Sequence, residues 1–210
     1  MKHLGGFLAP QRAEHKILPA MLDGYEKRGW WAQVKKNGTN SIIEVLPDGN
    51  IRSWNRHGEP HKQWQFSDGS RAAFLNLPKG HYVFNAELLH SKTPHIKDVN
   101  YLHDLLVFRG EHLIGVSYTT RYELLMELFR ELFLKGPALN VVDPNMNSHF
   151  VVDRHTWIAR NINNFSEQFL SLRAREDEGI VVKDPCACLG FRSNPSWSYK
   201  CRVPHKNYGF

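Results

Sequence analysis

With 210 residues, 41% of them hydrophobic and 23% charged, the chain carries enough apolar side chain for one buried core and is no disordered polymer. No apolar run approaches membrane-spanning length, and Met1-Lys2-His3-Leu4-Gly5-Gly6 lacks a signal core, so one cytoplasmic or nucleoid-associated domain over 1–210 is expected. Net charge is +6, and residues 1–40 hold seven Lys/Arg against three Asp/Glu, while Lys183, Arg192, Lys200, Arg202 and Lys206 crowd the other end against Asp184 alone. Basic ends folded around a shared cleft make a polyanion surface, for which a nucleic acid is the natural occupant.

In chain order, 17–28 reads as a helix with Pro19 in its first turn and Leu18, Met21, Leu22 and Tyr25 on one face. Short β-like runs follow at 30–35, 39–46 and 51–56, the last two joined by a Pro47-Asp48-Gly49-Asn50 turn. Ser70 to Leu77 suggests a short helix, and 81–89 and 101–109 read as strands before a turn at Gly110-Glu111. Thr120-x-x-Glu123 has the form of a capping box ahead of Leu124, Leu125, Leu128, Phe129, Leu132 and Phe133, a helix closed by Gly136. A strand over 149–152 and a helix over 154–172, burying Trp157, Ile158, Ile162, Phe165 and Phe169, precede the last strands. Antiparallel strands with flanking helices, and no β-α-β alternation, predict an α+β fold.

The chemistry-bearing residues lie in a series of short segments. Lys35-Lys36-Asn37-Gly38-Thr39-Asn40 puts a lysine at a strand end, before a glycine that lets the backbone pass close to a ligand. Ser53-Trp54-Asn55-Arg56-His57-Gly58-Glu59 sets an arginine beside a turn, and Phe84-Asn85-Ala86-Glu87-Leu88-Leu89 sets a carboxylate inside an apolar strand. His103-Asp104-Leu105-Leu106, Glu178-Gly179-Ile180-Val181-Val182-Lys183 and Trp197-Ser198-Tyr199-Lys200-Cys201-Arg202 complete the series. Lys200 and Arg202, two apart on a strand, project to one face.

In this order the segments resemble the collinear motifs of the covalent nucleotidyltransferases: ATP-dependent DNA ligases, RNA ligases and mRNA capping enzymes. The resemblance implies two antiparallel sheets flanked by helices, the ATP-grasp-like ligase adenylation fold, with ATP in the cleft between the sheets. It implies Lys35 as nucleophile, carrying AMP, with Lys200 as its catalytic partner and Glu87 and Glu178 as ligands of Mg²⁺ or Mn²⁺. Around the nucleotide it places Gln33, Val34, Gly38, Arg56, Glu87, His103, Phe108, Lys183, Lys200 and Arg202. A lysine in water, with its ordinary pKa of about 10.4, is neutral in about one molecule in a thousand near pH 7.4, a penalty of roughly 4 kcal/mol that the site must reduce. The implied partner is a nicked duplex, DNA before RNA, bound by a monomer. A capping-type enzyme using GTP and a non-catalytic nucleic-acid-binding module are the alternatives.

The sequence also departs from that pattern. Gln33 stands where an acidic residue commonly faces the adenine amine, and an amide either accepts from that amine or donates to a guanine carbonyl. His103 replaces the usual stacking aromatic, leaving stacking to His103 or Phe108. Asn85-Ala86 stands for Asp-Gly, and Lys200-x-Arg202 for Lys-x-Lys. Only eight residues follow Arg202, so no OB domain is expected. Cys186, Cys188, Cys201 and His205 do not have a standard zinc spacing, and buried thiols are the simpler reading.

Overall fold

The computed structural model describes residues 10–93, 96–135, 148–174, 177–192 and 194–204. Two sheets dominate. The five-stranded sheet joins β1 (His15–Lys16), β2 (Trp31–Lys35), β10 (Asn161–Ile162), β11 (Gly179–Lys183) and β12 (Ser198–Arg202) in the order β1-β12-β11-β2-β10. The seven-stranded sheet contains β3 (Thr39–Val45), β4 (Ile51–Trp54), β5 (Tyr82–Leu89), β6 (Val99–Phe108), β7 (Glu111–His112), β8 (His149–Val151) and β9 (Thr156–Ala159). Its order is β4-β3-β5-β6-β9-β8, with β7 beside β6. The α+β class is as the sequence predicts, but neither sheet is purely antiparallel: β1 runs parallel to β12 and β6 parallel to β9.

Alternation along the strands builds the five-stranded sheet. Ala32, Val34, Ile180, Val182 and Cys201 turn to one face, where they pack with Leu22, Tyr25, Phe165, Phe169 and Leu172 of α1 (Leu22–Lys27) and α4 (Phe165–Ala174). Each such side chain contributes about 1.5–3 kcal/mol by leaving water. Gln33, Lys35, Val181, Lys183, Lys200 and Arg202 are thereby left on the other face. The seven-stranded sheet packs its apolar face on α2 (Asp68–Leu75) and α3 (Tyr118–Lys135) through Phe74, Phe84, Leu105, Leu125 and Phe129.

Three local expectations are corrected. The first helix is a 3-10 turn, Pro19–Met21, running into α1; Leu22 and Tyr25 are buried, whereas Leu18 and Met21 are exposed. α3 begins at Tyr118, so Thr120 lies inside it; Ser117 Oγ is the group that accepts from Thr120 N, at 3.3 Å. Residues 156–162 form β9 and β10 rather than helix, and only the stretch from Phe165 is helical, although all five apolar residues assigned to this segment are buried. Gly136 and His205 lie outside the described residues. Of the three thiols only Cys201 is buried; Cys186 is exposed and Cys188 half-buried.

Candidate active site

The polar face of β2, β11 and β12 looks across a cleft of about 780 Å³ at β3, β5 and β6 of the other sheet. That volume suits a small-molecule ligand. Lys36, Asn37 and Gly38 carry the chain from β2 in one sheet to β3 in the other, and so form the seam of the cleft. Gly38 is demanded by a close approach: a Cβ there would meet Leu88 O at 2.5 Å and Glu87 Cγ at 2.7 Å.

Lys35 sits where β2 ends. Its Nζ lies 2.6 Å from Glu178 Oε2, while Arg202 donates to Glu178 Oε1 at 3.0 Å. One carboxylate therefore spans two cations. Register explains the arrangement, since Gly179 pairs with Lys35 on one side and Arg202 on the other. Gly179 has φ +136°, and a Cβ would come within 2.0 Å of Cys201 O, so glycine alone lets β11 start here.

Glu87 reaches in from β5, opposite Asn40 and Tyr101, and accepts from Gly38 N at 3.1 Å. Burial pushes its carboxyl up to about 7; Lys35 and Lys92 work against that rise and Glu178 adds to it. Glu87 and Glu178 are hard oxygen donors converging beside Lys35, a donor set that fits a divalent cation also bound by phosphate oxygens. Among the described residues no cluster of three or more His, Cys, Asp or Glu forms a metal cage of its own.

The deep end is closed by Gln33, Lys183, His103 and Tyr118. Lys183 is buried and donates to Gln33 Oε1 at 2.8 Å, Tyr118 Oη at 3.1 Å and His103 O at 3.3 Å, with its Nζ 4.4 Å from the Tyr118 ring centroid. Its pKa is lowered to about 8 by burial. Burial, then Lys183 and Lys35, hold the His103 imidazole neutral. Toward the other end, Lys200 has its pKa lowered by partial burial and then by Arg202, Lys35 and Lys16.

Of the predicted site residues, Gln33, Lys35, Gly38, Arg56, Glu87, His103, Glu178, Lys183, Lys200 and Arg202 share this one cleft. Two are placed differently. Val34 touches the cleft wall but has its side chain in the core under α1 and α4, as strand alternation requires. Phe108, at the far end of β6, is not among the lining residues; it packs on Tyr82 at 6.1 Å and beneath the Arg109 guanidinium at 5.2 Å. Arg12, Asn40, Asn85 and Lys92, to which the sequence reading gave no site role, also line the cleft. Lys92 donates to Gly38 O at 3.0 Å and Asn40 to Asn85 Oδ1 at 2.9 Å. Asn40 and Asn85 carried a signal, Asn40 closing the segment that begins at Lys35 and Asn85 lying two residues before Glu87 on the same strand. Asp104 serves another end: it takes a bidentate pair of 2.9 Å hydrogen bonds from the buried Arg121.

No family model matches the sequence, nor does any curated protein. Solved structures do match. Mycobacterial DNA ligase D complexed with ATP superposes with a TM-score of 0.66 at 19% identity, over 95% of this chain and 61% of that one. The ATP-dependent DNA ligase of bacteriophage T7, also with ATP, gives 0.54 at 14% identity over 94% and 68%. The Chlorella virus DNA ligase-adenylate gives 0.53 at 14% over 93% and 67%. The chain has the fold of the ATP-dependent DNA ligases. It spans about three-fifths of the mycobacterial ligase chain. Within the described residues of this ligase fold, no helix is long and apolar enough to cross a membrane.

Proposed function

We propose that the chain is an ATP-dependent polynucleotide ligase core that seals nicks between a 5′-phosphate and a 3′-hydroxyl, in DNA before RNA, through a lysyl-AMP at Lys35. One observation carries this reading: Lys35 Nζ stands in a cation-lined cleft, 2.6 Å from a carboxylate able to receive its proton, with Glu87 reaching in from the other sheet. A binding module needs no such amine.

In the first step the neutral Nζ attacks the α-phosphorus of ATP. The N–P bond forms, the bond from the α-phosphorus to the bridging oxygen breaks, and pyrophosphate leaves with that electron pair. Glu178 Oε2 is within proton-transfer reach of the amine. Lys200 and Arg202, on the same strand face, offset the charge that gathers on the phosphate oxygens. Glu87 and Glu178 would hold Mg²⁺ or Mn²⁺, which neutralises phosphate charge when bound. A 5′-phosphate oxygen then takes AMP from Lys35, breaking the N–P bond, and a 3′-hydroxyl displaces AMP to leave a phosphodiester. The basic mouth, with Arg12, Arg56 and Lys92, suits a nucleic acid backbone.

The test is incubation with α-labelled ATP, or α-labelled GTP, and Mg²⁺. An acid-labile protein adduct from ATP is expected, with Lys35→Ala blank. Labelling of Lys35→Ala would remove the nucleophile assignment, and labelling by GTP alone would turn the reading to a capping-type enzyme. Nicked duplexes with DNA or RNA on each side then report the substrate, with sealing of the all-DNA nick expected.

A further inference from the structure

Lys35 ends β2 and Thr39 begins β3, so the crossing from one sheet to the other is three residues long. Lys35 is tied to the five-stranded sheet through Gly179, and Thr39 to the seven-stranded sheet through Leu88. Any shift of that short crossover moves the amine relative to Glu87, which stands on the other sheet. Asn37 and Gly38 lie outside both strands, so their peptide groups have no place in either ladder and need other partners. Side chains from β5 and the loop after it supply them. Glu87 Oε1 accepts from Gly38 N at 3.1 Å, Lys92 Nζ donates to Gly38 O at 3.0 Å, and Thr93 Oγ1 donates to Asn37 O at 2.6 Å. The loop is itself braced where Lys97 Nζ donates to His90 O at 2.6 Å. Both polar groups of the Gly38 backbone are thus held from the seven-stranded sheet. Lys92 is exposed and Thr93 half-buried, and each sheet has an apolar cluster of its own, so folding does not rest on these two bonds.

We infer that Lys92 and Thr93 are positioning residues: they clip the Asn37-Gly38 crossover to the seven-stranded sheet, so that the Lys35 amine and Glu87 keep their places across the cleft. The chemical consequence rests on the proposed function, in which Lys35 attacks a phosphorus held beside Glu87. A nucleophile displaced by about 1 Å loses much of its rate even when its substrate still binds. The two side chains divide the work differently. Lys92 brings a charge into the cleft together with its hydrogen bond, whereas Thr93 brings the hydrogen bond alone, which makes Thr93 the cleaner probe.

The experiment follows formation of the labelled lysyl adduct in single turnover over a range of ATP concentrations, with the melting temperature measured beside it. This first step contains no nucleic acid, so a loss cannot come from weaker strand binding. Thr93→Val and Lys92→Met are each expected to lower the maximal rate about tenfold, and Thr93→Val to leave the half-saturating ATP concentration and the melting temperature unaltered. Thr93→Ser and Lys92→Arg, which keep a donor, are expected to label at close to the native rate. Native rates in Thr93→Val and Lys92→Met, or losses that merely track the melting temperature, would overturn the inference. Exchange of the Gly38 amide hydrogen tests the clip without chemistry, since its bond to Glu87 needs the crossover in place. About tenfold faster exchange is expected in both variants, and native exchange in both sinks the idea. Faster exchange in the variants, with no adduct from the native chain, would instead sink the ligase reading and leave the clip standing.

Discussion

At the scale of single residues, two glycines hold the charged groups of the cleft in register for different reasons. Gly179 is a backbone requirement, since its φ of +136° and the 2.0 Å approach of Cys201 O leave no place for a side chain between Lys35 and Arg202. Gly38 is a packing requirement, since its missing Cβ is the space filled by Glu87 Cγ and Leu88 O. Gly179→Ala should cost about 3 kcal/mol or more in urea denaturation, because the strand start must shift. Gly38→Ala should cost less in stability, yet abolish most adenylation by pushing the Glu87 side chain away. Native-rate labelling by Gly38→Ala would show that the position of Glu87 does not matter to the first step. Glu178 illustrates how much a neighbour decides: Arg175-Glu176-Asp177-Glu178 reads equally well as a solvated charged turn, and Gly179 with its apolar run is what marks a strand start.

At the scale of elements, β6 is fastened to α3 by Asp104 and Arg121, both buried. The guanidinium also donates to Val116 O at 2.6 Å and Ala187 O at 3.2 Å, so every partner is a fixed group. Arg121→Met should cost about 3–5 kcal/mol because it strands a buried carboxylate, whereas Arg121→Met with Asp104→Leu should cost much less than the sum. Additive losses would mean that the two residues act separately. This pair was invisible in the sequence, where Asp104 belonged to a motif and Arg121 to a helix of apolar spacing. The segment 154–172 shows the complementary limit. Burial of Trp157, Ile158, Ile162, Phe165 and Phe169 was legible, but β9 lies inside a sheet with both faces covered, and a continuous apolar run carries no period to tell strand from helix. β2, β5, β11 and β12 were readable because each carries a chemical residue at a strand end or in a one-sided alternation. Lys92 and Arg12 were not, since they reach the cleft from loops whose course only the tertiary fold determines.

At the scale of the whole molecule, the two sheets meet over a pair of acids, and Glu87 records that meeting in its titration. Its carboxyl rises from 4.5 to about 7, first because burial disfavours its charge, with Glu178 of the opposite sheet adding to the effect. Between those values the folded chain keeps a proton that the unfolded chain has released. The folded state therefore binds more protons, and stability must fall as pH rises through that window, by on the order of 3 kcal/mol, and level off above it. Lys183 acts in a separate window: its pKa, lowered from 10.5 to about 8, makes the unfolded chain the better proton binder there, so stability rises with pH across it. Glu87→Gln has no charge to bury. The native-minus-variant stability from chemical denaturation should thus decline from pH 4.5 to 7 and stay constant at pH 7 to 8. A difference curve without slope below pH 7 would mean that Glu87 is solvated and the sheets stand further apart. Mg²⁺ supplies the converse check, since a cation held by Glu87 and Glu178 favours the ionised carboxyl and should recover part of the lost stability above pH 7 in the native chain but not in Glu87→Gln.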